Sequence, residues 1–165
     1  MQGDIESLLT ELSRLAVRYL VVGGVAVVLH GFLRATADLD LVLDLDPENL
    51  ETAVDLLDRL GFRPRAPVPL RAFAEDAERK RWLAEKNLQV FSLWNSRMPG
   101  FEVDLFVEPP FDFAEAYARA TWAPLGAENV PVVAIDDLIA MKRRAGRPRD
   151  QEDIDALLAL RKRHE

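Results

Sequence analysis

Apolar positions divide the chain into short blocks whose period changes from helical to strand-like and back. Ile5, Leu8, Leu9, Leu12, Leu15 and Val17 recur at helical spacing, predicting a first helix over 5–17 with Asp4 as its N-cap. Tyr19–Val22 is continuously apolar and reads as a strand buried on both faces. Gly23 and Gly24 predict a tight turn into a short buried helix, Val25–Leu29, which Gly31 stops. Alternation returns at 38–44, where Leu39, Leu41 and Leu43 share one face of a strand. Asp46-Pro47 then opens a helix carrying Leu50, Val54, Leu57 and Leu60 on one stripe, ended by Gly61.

The proline-rich stretch 62–69 reads as a loop. Residues 70–86 are mostly charged around Phe73, Trp82 and Leu83, which predicts a surface helix serving as a mobile cover. Leu88–Trp94 and Phe101–Glu108 read as strands joined by the Pro99-Gly100 turn, hence an antiparallel hairpin. Phe111–Ala120 is helical in pattern, and Val130–Val133 reads as a short edge strand. A helix starting at or beside Asp136 ends at Gly146, and Asp150 caps the last one, which turns Ile154, Leu157 and Leu158 inward. No repeat or linker interrupts the series. It predicts one α/β (α+β) domain over 1–165, a mixed twisted sheet of about four or five strands flanked by helices.

Charge and composition narrow the chemistry. A net charge of −7 argues against wholesale coating of nucleic acid, although a local basic patch stays open. Cysteine is absent, which excludes disulfides and thiolate metal sites and fits a cytoplasmic protein. Asp4 and Glu6 make the N-terminus unlike a basic signal peptide. The longest apolar run, Tyr19–Leu29, is too short for a transmembrane helix and holds two glycines.

Three acids stand out. Asp38 and Asp40 lie two apart on the non-leucine face of one strand, and Asp104 takes the equivalent face of another. Carboxylates converging on one spot repel unless cations join them, and hard divalent ions favour such oxygen donors together with substrate phosphates. A two-ion clamp of that kind serves phosphoryl chemistry, and the Gly-Gly pair suits close approach of phosphates to a helix start. Each element alone is weak. Gly-Gly, about fourteen residues, Asp-x-Asp and a distant Val-Asp, taken in order, are far more specific.

That order resembles the minimal nucleotidyltransferases of the DNA polymerase β-like superfamily, especially the group similar to AbiEii-type toxins. The resemblance is carried by VVGGVAVVLHG, RATADLDLVLD, FEVDLFVE and DLIAMKRRAGRPRDQEDIDAL, nearly the whole chain. It implies a nucleotidyltransferase fold and transfer of a nucleoside monophosphate from a nucleoside triphosphate to an acceptor hydroxyl on tRNA, protein or a small molecule. It further implies magnesium, two ions, with manganese as the alternative, held by Asp38, Asp40 and Asp104, the same three being catalytic with Lys142. Gly23, Gly24, Arg34 and Thr36 would bind the nucleotide. Many members have serine where this chain has Gly24, so a hydroxyl on the triphosphate is missing unless Thr36 replaces it. Arg147, Asp150 and Asp153 fit the run that follows the family's lysine.

Blander readings compete at each position. Lys142 sits in a basic run that would ordinarily be a solvated helix face, and Asp150 with Asp153 reads as capping. Thr36 could cap a turn, and Arg34 could pair with a structural acid. His30 reads as a packed histidine, Trp82 and Trp94 as core or interface anchors, and Asp44 and Asp46 as solvent-exposed. The basic C-terminal run could meet an RNA acceptor. Two functions therefore stand: an active enzyme, in one form the toxin of a toxin–antitoxin pair, or a binding module such as the antitoxin partner, which the missing hydroxyl at Gly24 would favour.

Overall fold

The computed structural model describes residues 2–165. Seven strands form one sheet in the order β3-β4-β5-β2-β1-β7-β6. The strands are β1 (Tyr19–Val22), β2 (Asp38–Leu43), β3 (Arg63–Pro64), β4 (Val90–Trp94), β5 (Glu102–Phe106), β6 (Thr121–Leu125) and β7 (Glu128–Val132). β2 runs parallel to β5, and β1 parallel to β7; the other pairs are antiparallel. The helices are α1 (Gln2–Arg14), α2 (Gly23–His30), α3 (Pro47–Leu60), α4 (Asp76–Lys86), α5 (Phe113–Ala118), α6 (Ile135–Ala145) and α7 (Pro148–Arg163), with a 3₁₀ turn at Leu70–Ala74.

The central strands behave as their sequence requires. Tyr19–Val22 is buried throughout, while β2 and β5 bury Leu39, Leu41, Val103 and Leu105 and turn their acids to the other face. Helix starts and stops also follow local chemistry: Asp46 accepts from the Asn49 amide at 3.4 Å ahead of Pro47, and Gly31, Gly61 and Gly146 close α2, α3 and α6 in the left-handed region.

Four expectations need correcting. The sheet has seven strands, not four or five, because two strands carry no alternation of their own and arise from pairing. Arg63–Pro64 within the presumed loop pairs with Leu93 and Trp94. Thr121–Leu125 forms the true edge, so the strand containing Val130 lies inside it, between β1 and β6. Pro124 hides β6 from a propensity reading, yet proline is tolerated on an edge. Residues 70–86 do not form one helix. The chain breaks at Glu75, and Phe73 and Trp82 stack on Phe91 of β4 at 5.4 and 5.0 Å, so this segment is core packing. Asp44, expected in solvent, is half-buried and bound to Arg18 at 2.7 Å.

Candidate active site

The register between β2 and β5 sets Asp40 directly beside Asp104, and Asp38 beside Glu102. Neighbouring strands are about 4.8 Å apart, so the two carboxylates share one patch of the open sheet face. Asp104 Oδ1 is buried and has no hydrogen-bond partner. Burial, then the charges of Asp104 and Asp38, push Asp40 up to about 7, against the pull of Lys142. Asp38, exposed at the strand's start, is raised by burial and by Asp104 and Glu102, with Arg149 opposing. A buried carboxylate oxygen without a partner is costly and calls for a donor or a cation.

The glycine pair abuts this patch, for a reason the sequence did not reveal. Gly23 starts α2 with φ +67°, and a Cβ built there would lie 1.9 Å from Asp40 Oδ2. It is the Asp40 carboxylate that makes the close approach at Gly23. A Cβ at Gly24 would lie 2.7 Å from Thr36 Oγ1 and 2.8 Å from Arg34 Nη2. The Thr36 hydroxyl thus stands beside the spot from which a serine side chain at 24 would start.

The late helices supply cations on the other flank. Lys142 is buried, its Nζ donating to Asp153 Oδ2 at 2.7 Å and Asp150 Oδ1 at 3.3 Å. Arg34 Nη2 donates to Asp153 Oδ2 at 3.0 Å; its Nε lies 2.8 Å from Oδ1 without hydrogen-bond alignment. Asp150 does cap α7, accepting from the Arg147 backbone at 3.0 Å. Burial alone would raise Asp150, but the Arg147 side chain, the Arg147 amide and Lys142 outweigh it and hold it at about 2. Lys142 is therefore no solvated surface group, and Arg34 does pair with an acid, one that also holds Lys142. His30 is a packed histidine, as read, with Nε2 2.7 Å from the Val133 carbonyl oxygen.

A cavity of about 520 Å³ gathers Gly24, Arg34, Thr36, Asp38, Asp40, Lys142, Arg147 and Arg149. A second, also about 520 Å³, shares Asp40, Lys142 and Arg147 and extends past Gly23 and Asp104 to Phe106, Leu138 and Met141. Each sequence-selected residue lines one or both. Arg149 was missed; its signal was its place one residue before Asp150 in the basic run.

Whether these residues fit a divalent cation turns on the donors. Asp38, Asp40 and the orphaned oxygen of Asp104 are hard oxygen ligands of the type magnesium or manganese takes. Among the described residues no group of three or more His, Cys, Asp or Glu side chains stands placed to hold a metal ion. The fit rests on the adjacent Asp40 and Asp104, with Asp38 exposed two residues before Asp40 on the same strand.

The family match makes this chain a nucleotidyltransferase. The chain belongs to the family described as nucleotidyltransferase of unknown function (DUF6036), whose model matches residues 1–162. Solved structures share the fold at low identity. The lincosamide antibiotic adenylyltransferase LnuA, with lincomycin bound, is 14% identical with a TM-score of 0.65, over 97% of this chain and 98% of that one. An antigenic nucleotidyltransferase-like protein from Paracoccidioides brasiliensis is 20% identical with a TM-score of 0.59, over 96% and 73%. ANT(2")-Ia in complex with adenylyl-2"-tobramycin is 14% identical with a TM-score of 0.59, over 99% and 98%. A search of the curated proteins finds no match. Among the described residues, no helix is long and apolar enough to cross a membrane.

Proposed function

We propose that this nucleotidyltransferase moves a nucleoside monophosphate from a magnesium-bound nucleoside triphosphate to a hydroxyl of a small-molecule acceptor, releasing pyrophosphate. The observation that carries this reading is the placement of Asp40 beside Asp104, one oxygen of the latter buried and unpartnered, at the foot of a glycine-started helix. The fold-sharing enzymes bound to lincomycin or to an adenylylated tobramycin support an antibiotic-sized acceptor.

In this reading Arg34, Lys142, Arg147 and Arg149 face the triphosphate and balance charge developing on the leaving pyrophosphate. Thr36 supplies the hydroxyl that Gly24 lacks. Asp104 receives the proton of the attacking hydroxyl. A divalent cation held by Asp38, Asp40 and Asp104 would polarise the phosphoryl oxygens and offset the mutual repulsion of the carboxylates.

Purified protein incubated with magnesium and α-labelled triphosphates, against hydroxylated small molecules and total tRNA in parallel, tests the reading. Label should pass to a small molecule and disappear in Asp40→Asn. Label on tRNA alone would replace the acceptor assignment and favour the toxin role. No pyrophosphate release under any condition would favour the binding-module alternative.

A further inference from the structure

A third cavity, about 340 Å³, opens on the far side of Asp38 from the cationic one, and Asp38 lines both. Its walls include Arg65, Trp94, Ser96 and Glu102. Trp94 is 38% exposed, an unusual position for a large ring at the end of a sheet strand. Arg65 places its guanidinium 5.8 Å from the Trp94 ring centroid and is held to Glu102 by an ion pair of 2.5 Å. Register explains the layout: Trp94 pairs with Glu102, and Glu102 with Asp38, so the three side chains cross one open face in a row. One row further along, Ser92, Asp104 and Asp40 do the same.

In-line displacement requires the attacking hydroxyl to approach opposite the leaving group. Resting on the function proposed above, the leaving pyrophosphate belongs with Arg34, Lys142, Arg147 and Arg149 on the α2 and α7 flank. The attacking group must then arrive over β5 and β4. We infer that the Trp94–Arg65–Glu102 shelf beside Asp38 is the acceptor subsite, and that it takes a neutral or cationic hydroxylated ring of sugar-like form. A ring face packs on the indole while Asp38 and Glu102 accept hydrogen bonds from hydroxyl or ammonium groups. The volume lies at the small-molecule end of the range for ligand pockets, roughly 300–1,000 Å³. Charge speaks against a polyanion: Arg65 is set against two carboxylates, Asp38 and Glu102, whereas a nucleic-acid acceptor needs positive surface. The nucleoside is left the second cavity, beside Phe106, Leu138 and Met141.

The test is a set of titrations of the ¹⁵N-labelled full chain, with the Trp94 indole signal assigned through Trp94→Phe. The probes are magnesium–ATP, D-glucosamine, methyl β-D-glucoside and total tRNA. The expected result is that one or both saccharides shift the Trp94 indole but not that of Trp122, while magnesium–ATP shifts Gly24 and leaves the Trp94 indole in place. Trp94→Ala should weaken saccharide binding about tenfold, and Glu102→Gln should weaken glucosamine more than the glucoside. A Trp94 shift with ATP makes the shelf a nucleobase site and overturns the inference, as does a shift with tRNA alone or with none of the probes. Failure of ATP to shift Gly24 counts against the proposed function, whatever Trp94 does.

Discussion

The carboxylate of Asp40 lies in the space that any side chain at residue 23 would need, 1.9 Å from where a Cβ would stand. Gly23 therefore serves two ends: it adopts φ +67° at the start of α2, and it leaves room for the acid that faces β5. Gly23→Ala should cost about 1–3 kcal/mol of stability through backbone strain. It should also displace Asp40 and abolish nucleotide transfer. Chemical denaturation and a transfer assay on one preparation check both; wild-type stability with wild-type activity would contradict the relationship.

Asp40→Asn and Asp104→Asn should each remove transfer while leaving the fold intact. In EDTA at pH 8, Asp40→Asn should melt at or above the parent temperature, because it removes a buried charge that Asp104 and Asp38 oppose. Thermal melts in EDTA decide this; a large drop would assign Asp40 a structural role.

Magnesium should raise the parent melting temperature, by linkage, with the increment growing as the ion concentration passes its dissociation constant. Asp104→Asn should flatten that dependence. An equal rise in the variant would place the ion elsewhere.

Lys142 cannot be read from activity alone. Lys142→Met would take one partner each from Asp150 and Asp153, both nearly fully buried, leaving them to Arg147 and Arg34, and should cost about 1.5–3 kcal/mol. Denaturant melts of this variant should show a clear loss, so an inactive Lys142→Met needs its folded fraction measured first.

Asp150 gives a pH dependence with a definite sign. Its native pKa of about 2 lies below the ordinary 3.8, so it adds stability that is present above pH ~4 and lost as pH falls toward 2. The difference corresponds to about 2 kcal/mol. Asp150→Asn should be less stable than the parent at pH 7, and the two should converge as acid is added; parallel curves would contradict this.

What the sequence disclosed follows from how local each signal is. Alternation around Leu39 and Leu41, the Asp46-Pro47 start and the closing glycines depend on neighbours within a few residues, and these elements stand where expected. The three acids were also legible, since they break the pattern of their faces and match a known spacing. Other features depend on distant partners. Nothing near Thr121–Leu125 announces the strand that its pairing with β7 creates. The aromatic stack that fixes residues 70–86 needs Phe91, on another element. Spacing alone reads Asp153 as a cap, whereas it pairs with Arg34, far back in the chain. The close approach of Asp40 to Gly23 is likewise invisible in the sequence, because the two residues sit on different elements.

The parallel pairing of β2 with β5 also bears on when the enzyme can first work. The antiparallel pair of β1 and β2 closes across α2 alone, whereas residue 104 joins residue 40 only after the intervening α3, α4 and β4 have been laid down. A ribosome-bound chain that has not yet extruded its fifth strand carries only one half of the acid pair. The proposed site should therefore be completed late in synthesis, after that strand and then α6 and α7 have docked.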